Sequence, residues 1–532
     1  MKVMSEWRRK RTEKILLRNR NYKKLIYNRL IITFALVIVQ LALSGFLLFT
    51  FYEWSSRLIL FLIDFIGLIC VLYILNHDEK PSSKLNWIII ILIFPFFGVF
   101  AYVIFGEGRP TRKMNKKIRA SKKENMQVLK RSVSKADEAA LQGRSSETCR
   151  YLHDFAGYPA YADGDVEYYE TGEKMFPKML EELEKAEKFI LAEYFIVAGG
   201  KMWTAFRDVI VRKAQQGVQI RLIFDDWGCI LHMPPHFDKY MEALHPNIKC
   251  LMFNHIIPFF SMRLNNRDHR KFLVIDGKVG FTGGINIADE YINQKERFGH
   301  WKDTGLRLQG DAVCRFTLAF LNLWNAFRKT DEDYAAFFPP LGHTAAGNAP
   351  CFVQPYFDSP LDDENVGENV YLDILAQAER YVYIFTPYLV IDAELQTALC
   401  NAAKRGVDVR IVTPGIPDKK SVFMLPRSYY PVLRRAGVKI YEYTPGFLHA
   451  KSFIADDRLA AVGTVNMDYR SLYLHFECGT LLYGGEALQA LLADCKTTME
   501  RSVPIESPEF GRARGFLKGI WQALLRAFAP LL

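Results

Sequence analysis

The feature that most constrains the fold of this chain is a doubled sequence pattern. The stretch DHRKFLVIDGKVGFTGGINIADEY (Asp268–Tyr291) returns as LHAKSFIADDRLAAVGTVNMDYRS (Leu448–Ser471). Each copy holds a histidine, a lysine two residues later and an aspartate five residues after the lysine, followed by a glycine and an asparagine. These residues are His269, Lys271, Asp276, Gly283 and Asn286 in the first copy, and His449, Lys451, Asp456, Gly463 and Asn466 in the second. A pattern this long, repeated with the same tail, indicates a duplicated structural unit.

Matching helix and strand patterns precede both copies. In each, a helical pattern ends at a glycine, Gly217 or Gly406, and a strand rich in β-branched residues follows. The paired stretches are Ala186–Val197 with Ala378–Val390, and Lys213–Phe224 with Ala402–Thr413. Because each copy reads helix, strand, helix, strand, the sequence predicts an α/β fold built from two pseudo-symmetric α/β/α repeats.

The histidine and lysine of each copy predict an anion-binding pocket. Side chains alternate between the faces of a strand, so a strand through the first copy puts His269 and Lys271 on one face and Phe272 on the other. Two cationic groups on one face repel each other unless an anion lies over them. When the repeats meet about a pseudo-two-fold axis, one pocket holds both histidines, both lysines and both asparagines. The predicted ligand is a phosphodiester, with Asn286 and Asn466 binding the phosphate.

The two histidines, His269 and His449, are the candidate catalytic groups. One imidazole can attack phosphorus as a nucleophile and the other can protonate the departing oxygen, and symmetry alone does not tell which is which. Downstream, WKDTGLRLQG (Trp301–Gly310) aligns with HFECGTLLYG (His475–Gly484). This alignment pairs Asp303 with Glu477, and we predict that these carboxylates orient the histidines by accepting a hydrogen bond from the second ring nitrogen.

The motif aspartates, Asp276 and Asp456, complete each candidate catalytic set, but their position favours a structural role. Each ends the predicted strand and precedes turn residues, such as Gly277-Lys278 after Asp276. Aspartate commonly forms hydrogen bonds with nearby backbone in such turns. We therefore expect turn formation or a structural ion pair from these two carboxylates rather than direct chemistry.

No metal or cofactor is expected from the sequence. The nine cysteines are scattered and none forms a CxxC pair, which argues against a zinc site or a disulfide framework. No cluster of histidine, cysteine and carboxylate residues has the spacing of a metal site. The lysines are therefore expected to supply the positive charge.

The N-terminal part of the chain predicts membrane insertion. Three apolar runs, 30–52, 58–75 and 87–105, approach the length of about 20 residues that a transmembrane helix needs. Basic segments flank them. Residues 1–29 carry a net charge of +9 and residues 106–131 carry +8, which suits anionic lipid headgroups. Both segments favour the cytoplasmic side, although three spans would put them on opposite sides. We predict a multi-pass protein whose catalytic part faces the cytoplasm.

The charge distribution argues against a nucleic-acid-binding protein. Those two basic segments account for more than the whole net charge of +11, so the rest of the chain is net acidic. A nucleic-acid-binding domain would be expected to carry its own positive field. The sequence predicts no nucleic-acid partner, and it gives no indication of an oligomeric state.

The predicted organisation has six segments. They are a basic N-terminal segment (1–29), a transmembrane region (30–105), a basic juxtamembrane linker (106–135), a first repeat (136–340), a second repeat (345–505) and an amphipathic C-terminal helix (510–532). The connector FFPPLGHTAAGNAP (Phe337–Pro350) joins the two repeats. The C-terminal helix is compatible with a membrane interface or with packing on the protein itself.

The doubled HxKxxxxD motif with its GxxN tail resembles the phospholipase D superfamily over nearly all of residues 140–500. Within that superfamily the chain resembles the bacterial cardiolipin synthases. NWIIIILIFPFFGVFAYVIFGEGR (Asn86–Arg109) is similar to the last membrane segment of that family, and RGFLKGIWQALLRAFAPLL (Arg514–Leu532) is similar to its amphipathic end. Two departures stand out. The run Leu30–Tyr52 looks like an additional membrane segment, and Gly284 stands where Thr464 supplies a hydroxyl in the second copy, so backbone N–H groups are expected to replace that donor.

The resemblance implies a fold and a reaction. Two phospholipase D-like repeats would form one active site in a bacterial cell-membrane enzyme. Two molecules of phosphatidylglycerol would give cardiolipin and glycerol through a phosphatidyl-histidine intermediate. By the same resemblance His269 is the nucleophile, and His449 is the general acid and then the general base.

Other readings remain compatible with the motifs. A phospholipase D that uses water, or a phosphatidyltransferase that uses another alcohol, would carry the same residues, because water and alcohols compete for one intermediate. A nuclease of the superfamily would be expected to have a basic body and no membrane segment. A non-enzymatic lipid-binding scaffold would be expected to have lost at least one of the two intact motif sets.

Overall fold

The computed structural model describes most of the chain. The described residues are 54–77, 81–105, 112–130, 145–162, 165–255, 266–328, 334–339, 351–361, 364–418, 423–507, 510, 515–527 and 529. The chain divides into two compact units, with the described residues up to Arg112 in the first and those from Lys113 onward in the second. The basic segment 1–29 and the predicted span 30–52 lie outside the described residues.

The first unit contains three helices: α1 (Trp54–Asn76), α2 (Pro81–Ile93) and α3 (Pro95–Phe105). The predicted run 58–75 falls within α1, whereas the run 87–105 is divided between α2 and α3 rather than forming one helix. The division falls at Pro95, which lacks an N–H and whose ring clashes with the carbonyl four residues earlier in a continuous helix. None of the helices in the described ranges combines the length and the apolar character needed to cross a membrane.

Beyond that division the chain folds back on itself. A Cβ atom on Gly98 would lie 2.6 Å from the Cα atom of Ile91, so the backbones of α2 and α3 approach each other very closely. The rings of Trp87 and Tyr102 meet edge to face with centroids 5.4 Å apart. Glycine at position 98 is therefore required by packing, because any side chain would meet the backbone of the preceding helix.

The second unit alternates helices and strands. Its helices are α4 (Arg112–Lys130), α5 (Ser145–Asp154), α6 (Gly172–Glu184), α7 (Lys201–Gln215), α8 (Asp226–Cys229), α9 (Phe237–Glu242), α10 (Val313–Phe327), α11 (Val366–Gln377), α12 (Ala393–Lys404), α13 (Met424–Arg435), α14 (Tyr469–Tyr473), α15 (Glu486–Glu500) and α16 (Phe516–Ala527), with 3-10 turns at Asp289–Ile292 and Tyr334–Phe337. The boundary between the units falls at the first residue of α4.

The strands of the second unit fall into two groups. Those that precede the connector are β1 (Tyr161–Ala162), β2 (Asp165–Tyr169), β3 (Phe189–Tyr194), β4 (Gln219–Asp225), β5 (Ile248–Phe253), β6 (Arg267–Asp268), β7 (Lys271–Ile275), β8 (Val279–Gly283), β9 (His300–Lys302) and β10 (Gly305–Gln309). Those that follow it are β11 (Phe352–Asp358), β12 (Tyr381–Phe385), β13 (Leu389–Val390), β14 (Asp408–Pro414), β15 (Lys439–Tyr443), β16 (Gly446–Leu448), β17 (Ser452–Ala455), β18 (Leu459–Gly463), β19 (Met467–Asp468), β20 (His475–Tyr483) and β21 (Ser502–Pro504).

The two large sheets have the same strand order. The first runs β2-β10-β8-β7-β3-β4-β5, and the second contains β11-β20-β18-β17-β12-β14-β15. In both, two parallel pairs are followed by antiparallel pairs, as in β3 with β4 and β3 with β7. The central strands are buried on both faces and are mainly apolar, as in Phe189–Tyr194, where Glu193 is the one charged residue and pairs with Arg270, and this suits a sheet covered by helices on both sides. The predicted pseudo-symmetric α/β duplication is confirmed.

One hydrophobic core joins the repeats. Phe272 of β7, Phe316 of α10 and Phe357 of β11 are buried and pack on one another with ring centroids 5.4 to 6.3 Å apart. These three rings come from the first repeat, the helix that closes it and the first strand of the second repeat. Since apolar burial holds them together, the repeats fold as parts of one unit rather than as separate domains.

Two short strand pairs connect the repeats in a reciprocal way. Strand β6 of the first repeat runs parallel to the start of β20 in the second, pairing Arg267 with His475. Strand β16 of the second repeat runs parallel to β9 of the first, pairing Leu448 with Lys302. In each repeat the short strand before the motif histidine therefore pairs with a strand of the other repeat, and the carboxylate of that repeat lies within the partner strand (Glu477 in β20) or directly after it (Asp303 after β9).

Candidate active site

The motif histidines lie between strands rather than within one. Strand β6, which pairs with the second repeat, ends at Asp268, and β7, which belongs to the sheet of the first repeat, begins at Lys271. His269 lies between these two strands. His449 occupies the same position between β16 and β17. The expectation of one continuous strand through His269 and Lys271 was wrong, although the Lys271 ammonium does lie beside His269. The strand is interrupted because its first part pairs with one repeat and its second part with the other.

Each histidine is held by the carboxylate of the opposite repeat. His269 Nδ1 lies 2.9 Å and 3.0 Å from the two carboxylate oxygens of Glu477, and His449 Nδ1 lies 2.6 Å from Asp303 Oδ2. Both carboxylates are fully buried, and both histidines are less than a tenth exposed. Backbone contacts fix the crossing, since the His269 N–H donates to the Phe476 carbonyl at 2.9 Å. Because Nδ1 of each histidine contacts a carboxylate, Nε2 is the ring nitrogen that can react with the substrate.

The motif lysines are buried beside the histidines. Lys271 and Lys451 are each only 1% exposed. Lys271 Nζ donates to the His269 carbonyl at 2.5 Å, and Lys451 Nζ donates to the His449 carbonyl and lies 2.8 Å from His449 Nδ1. In both lysines the ammonium is thus anchored next to the imidazole two residues earlier.

Burial controls the ionisation of these groups. It lowers the pKa of Lys271 to about 8 and that of Lys451 to about 7, against the opposing attraction of nearby carboxylates. Burial, together with the neighbouring lysines, lowers the pKa of His449 to about 4 and holds the pKa of His269 well below its usual range. The site thus disfavours positive charge until an anion enters, which is the electrostatic condition expected of a pocket for a phosphodiester.

The motif asparagines are buried at the same place but have different surroundings. Asn286 Oδ1 accepts from the Ile196 N–H at 2.9 Å, and its Nδ2 donates to the Tyr291 hydroxyl at 2.7 Å. Asn466 is 4% exposed, and its Oδ1 has no hydrogen-bond partner among the described residues. One amide proton of Asn286 is therefore already engaged, and this contact orients its side chain.

The two carboxylate–histidine pairs differ in their supporting groups. The Thr464 hydroxyl donates to Glu477 Oε2 at 2.5 Å. At the equivalent position in the other repeat, a Cβ atom on Gly284 would lie 2.0 Å from Asp303 Oδ1, so only glycine fits there. Asp303 instead accepts from the backbone N–H of Thr304 at 2.8 Å. The missing hydroxyl thus has a steric cause: the shorter aspartate occupies the space that the threonine side chain fills elsewhere.

The motif aspartates bind backbone rather than the histidines. Asp276 accepts from the N–H groups of Glu187, Lys188 and Phe189, each at 2.8 Å. Asp456 makes the same three bonds to Glu379, Arg380 and Tyr381, at 2.8 to 2.9 Å. Although partial burial opposes it, these N–H groups lower the pKa of Asp456. Each carboxylate fastens the turn before β3 or β12 to the end of the motif strand.

Sequence reasoning missed the aromatic residues that flank the histidines. The His475 ring lies 5.5 Å from the His269 ring, and the Trp301 ring lies 5.4 Å from the His449 ring. Each of these rings belongs to the residue two positions before a site carboxylate. Side chains two residues apart on a strand share a face, so the alignment of Asp303 with Glu477 could have identified both residues. The ligand atoms of His269, His475 and Glu477 also lie within 4.8 Å of one another, a grouping that sequence spacing did not indicate.

A buried ion pair was also missed. Lys302 Nζ lies 2.7 Å from Asp494 Oδ2, and the Tyr168 hydroxyl donates to the same carboxylate oxygen at 2.6 Å. The pair ties β9 to α15, and therefore fixes the strand whose next residue is Asp303. Nothing in the spacing of the motifs pointed to it.

Comparisons with known proteins place this geometry in a family. The family model described as cardiolipin synthase, PLD-like domain, matches residues 179–299 and 371–498, and the phospholipase D-nuclease N-terminal model matches residues 62–107. A cardiolipin synthase of Geobacillus sp. (strain WCH70) is 32% identical over 506 residues, which cover 94% of this chain and 99% of that one. Cardiolipin synthase 2 of Bacillus cereus is 34% identical over 466 residues, covering 87% and 89% respectively.

A protein of Streptococcus mutans serotype c, described only as uncharacterized, is 46% identical over 435 residues, covering 81% of this chain and 93% of that one. Among solved structures, the phosphatidylserine synthase of Haemophilus influenzae has a TM-score of 0.51 at 17% identity, covering 72% of this chain and 97% of that one. At this identity the likeness shows a shared fold.

Two repeats that exchange histidine–carboxylate contacts around two buried lysines define a phosphatidyltransferase of the phospholipase D type. More narrowly, the chain belongs to the cardiolipin synthase family. The resemblance found in the sequence is confirmed at both levels.

Proposed function

We propose that this enzyme transfers the phosphatidyl group of one phosphatidylglycerol to a second phosphatidylglycerol, giving cardiolipin and glycerol. The observation that carries the proposal is the crossed arrangement of His269 with Glu477 and His449 with Asp303 beside two buried lysines. Two equivalent imidazoles around one anion site suit two displacements at the same phosphorus. The second displacement uses an alcohol. We take this alcohol to be a second phosphatidylglycerol, because the chain belongs to the cardiolipin synthase family.

In the first displacement, Nε2 of His269 attacks phosphorus while the bond from phosphorus to the glycerol oxygen breaks. His449 gives its Nε2 proton to that oxygen, and glycerol leaves. In the free site the pKa of His449 is lowered to about 4 by burial first and by Lys451 second. The entering phosphodiester adds a negative charge next to His449 and raises its affinity for the proton that it must donate.

In the second displacement, the neutral Nε2 of His449 takes the proton from a hydroxyl of the second phosphatidylglycerol. The hydroxyl oxygen attacks phosphorus as the bond to His269 Nε2 breaks, which releases cardiolipin and restores both histidines. Glu477 and Asp303 keep the rings oriented through Nδ1 in both steps. Lys271 and Lys451 stabilise charge on the phosphoryl oxygens, with Asn286 and Asn466 in the role of phosphate-binding amides.

We place the enzyme in the bacterial cell membrane as a multi-pass protein with its catalytic part toward the cytoplasm. Large apolar side chains of α1 and α3 support contact with membrane lipid, since Phe61, Phe65 and Phe96 are each about half exposed or more. Helix α4 follows with a run of basic residues suited to anionic lipid headgroups. The proposed partners are phosphatidylglycerol and other anionic membrane lipids.

The test is product analysis of the purified full-length protein in mixed micelles of phosphatidylglycerol labelled separately in its glycerol headgroup and its acyl chains. Labelled cardiolipin and an equal amount of free glycerol are expected. Phosphatidic acid with glycerol would show that water is the acceptor and would overturn the proposal. If a new phosphatidyl ester forms only when serine or ethanolamine is added, that alcohol, rather than phosphatidylglycerol, is the acceptor.

The lysines predict a particular pH dependence. The pKa is about 7 for Lys451 and about 8 for Lys271. The free enzyme therefore loses the two positive charges that attract the phosphodiester as pH rises through this range. We therefore expect kcat/KM to fall across that range, while kcat, which reports the bound state, holds to higher pH because the bound anion keeps the lysines protonated. Steady-state profiles in detergent micelles measure both.

A Lys271→Arg variant is the control for that profile, because a guanidinium keeps its charge across the range. Its kcat/KM is expected to be lower overall but to lose the alkaline component that belongs to Lys271. A flat wild-type kcat/KM up to about pH 9.5 would contradict the assignment of these lysines to substrate capture.

Gly284→Ala should damage the site without touching a catalytic side chain. The added methyl group would sit about where Asp303 Oδ1 now lies, so the carboxylate must move away from His449. We expect kcat to fall about 10- to 100-fold, because His449 loses its orientation, with little change in KM. Thr464→Ser, which keeps the hydroxyl donated to Glu477 in the other repeat, should stay within about threefold of wild type. A fully active Gly284→Ala would show that Asp303 tolerates displacement.

A further inference from the structure

The two reactive histidines are pseudo-symmetric, but the rings that flank them are not. Trp301 lies against His449, and His475 lies against His269, with centroid separations of 5.4 and 5.5 Å. A third imidazole therefore stands beside one of the two reactive histidines. An indole can only donate a hydrogen bond, whereas a neutral imidazole can donate through one nitrogen and accept through the other.

His475 is placed to act on Glu477. Its side chain is 10% exposed, and its Nδ1 lies 3.7 Å from Glu477 Oε1, the carboxylate oxygen that also lies 2.9 Å from His269 Nδ1. Within the described part of the chain, His475 Nδ1 is buried and has no hydrogen-bond partner. Because a buried polar nitrogen without a partner is costly, His475 Nδ1 would gain stability from a hydrogen bond to the Glu477 carboxylate beside it.

The ring is neutral at physiological pH, since burial lowers the pKa of His475 to about 4. The charged and titratable groups that face it are Glu477, His269 and Arg470. A neutral ring with its proton on Nδ1 can donate to Glu477 without adding a positive charge beside the nucleophile. Closing the separation from 3.7 Å to an ordinary hydrogen bond requires a movement of roughly 0.8 Å.

We propose that His475 is a positioning residue that donates a hydrogen bond from Nδ1 to Glu477 while His269 is covalently bound to phosphorus. This inference rests on the proposed function only in taking His269 as the nucleophile. When the bond from Nε2 to phosphorus forms, the His269 ring gains positive charge and draws the Glu477 carboxylate through Nδ1. A second imidazole donor on the same oxygen holds the carboxylate in place, so the phosphorylated ring stays aligned for attack by the acceptor.

Three substitutions at His475 separate this role from simple packing. His475→Asn puts an amide N–H close to the position of Nδ1, His475→Gln puts one close to that of Nε2, and His475→Phe keeps a flat ring without a donor. We expect Asn to remain within about threefold of wild type in kcat, and Gln and Phe to lose about 10- to 100-fold, the range for one hydrogen bond to a charged group. KM should stay nearly constant, because the phosphate contacts are unchanged.

The readout is total phosphatidyl transfer, measured as cardiolipin plus phosphatidic acid, together with the amount of phosphatidyl-enzyme trapped by a denaturing detergent quench at neutral pH in a single turnover. Covalent enzyme should persist longer in the Phe variant than in wild type. Wild-type kcat in the Phe variant, or a loss in Asn as large as in Phe, would overturn the proposal. If wild type gives only phosphatidic acid, the acceptor assignment fails, but the same ratios still report on His475. Thermal unfolding midpoints check that all three variants are folded.

Discussion

His269→Ala is expected to abolish both turnover and covalent labelling, whereas His449→Ala is expected to abolish turnover and to keep labelling with a suitable donor. Without His269 no atom can form the bond to phosphorus, and the loss should be about 10⁴-fold or more. Without His449 the glycerol oxygen leaves without a proton, which stops the first displacement for phosphatidylglycerol. A phosphatidyl ester of p-nitrophenol does not need that proton, because its leaving group is stable as an anion.

The measurement is a rapid-quench experiment with the p-nitrophenyl donor. His449→Ala should release up to one equivalent of p-nitrophenol in a burst and should then stall, because the second displacement lacks its base. The labelled group should be acid-labile, as a phosphohistidine is, and a peptide containing residue 269 should carry it. The reverse result, with a burst in His269→Ala and none in His449→Ala, would exchange the two roles. The matched substitution His475→Ala should keep both burst and turnover, at a reduced rate.

The sequence identified residues that the structure brings together at the candidate site, but it did not identify which histidine contacts which carboxylate. The alignment of Trp301–Gly310 with His475–Gly484 identified Asp303 and Glu477 as partners for the histidines, because it gives each repeat one carboxylate downstream of its motif histidine. The exchange between repeats is a tertiary property: β6 pairs with β20, and β16 with β9, so each histidine reaches the carboxylate of the other repeat. A local pattern does not specify which of two equivalent partners lies nearer in space.

The errors in the sequence interpretation have physical causes of the same kind. The stretch from Asp268 to Ile275 has a strand-like pattern throughout, yet it divides at His269, because its two parts pair with different sheets. The run 87–105 is apolar throughout but is interrupted at Pro95, and Gly98 allows the following helix to pack on the preceding one. In both, tertiary pairing or one backbone constraint outweighed a continuous hydropathy pattern.

Gly284 occupies the position that corresponds to Thr464 in the second repeat, and only side-chain geometry explains this difference. From the sequence, Gly284 was a departure from the symmetry of the two motifs. In the structure it leaves space for the Asp303 carboxylate, whose Oδ2 lies 2.6 Å from His449 Nδ1. Aspartate with glycine, and glutamate with threonine, are two solutions of the same packing problem. A side chain larger than glycine at position 284 would remove the space that the Asp303 carboxylate occupies.

Lys451→Met is expected to remove activity and to stabilise the fold. Activity should fall about 10²- to 10³-fold, because a charge that stabilises the phosphoryl oxygens is lost. Stability should rise near pH 7, because burial disfavours the charged form of Lys451 despite the nearby carboxylates, and an apolar side chain of similar size carries no such cost. The pKa of Lys451 is lowered by burial to about 7 in the folded enzyme, while the unfolded chain keeps the ordinary value. The unfolded state therefore binds more protons above pH 7, and the free energy of unfolding of wild type rises with pH there.

It follows that the stabilising effect of Lys451→Met should be greatest at and below about pH 7 and should shrink as pH approaches about 10. Unfolding in guanidinium chloride with detergent, repeated across pH, measures this.

Lys302→Met is the matched control. Lys302 is also buried, but it lies 2.7 Å from Asp494, so its loss leaves a buried carboxylate without its cation and should destabilise the protein by about 3–5 kcal/mol. Two identical substitutions of buried lysines should thus change stability in opposite directions. If Lys451→Met also destabilised the protein, Lys451 would be a structural cation like Lys302 rather than one held at a cost to stability for the phosphodiester.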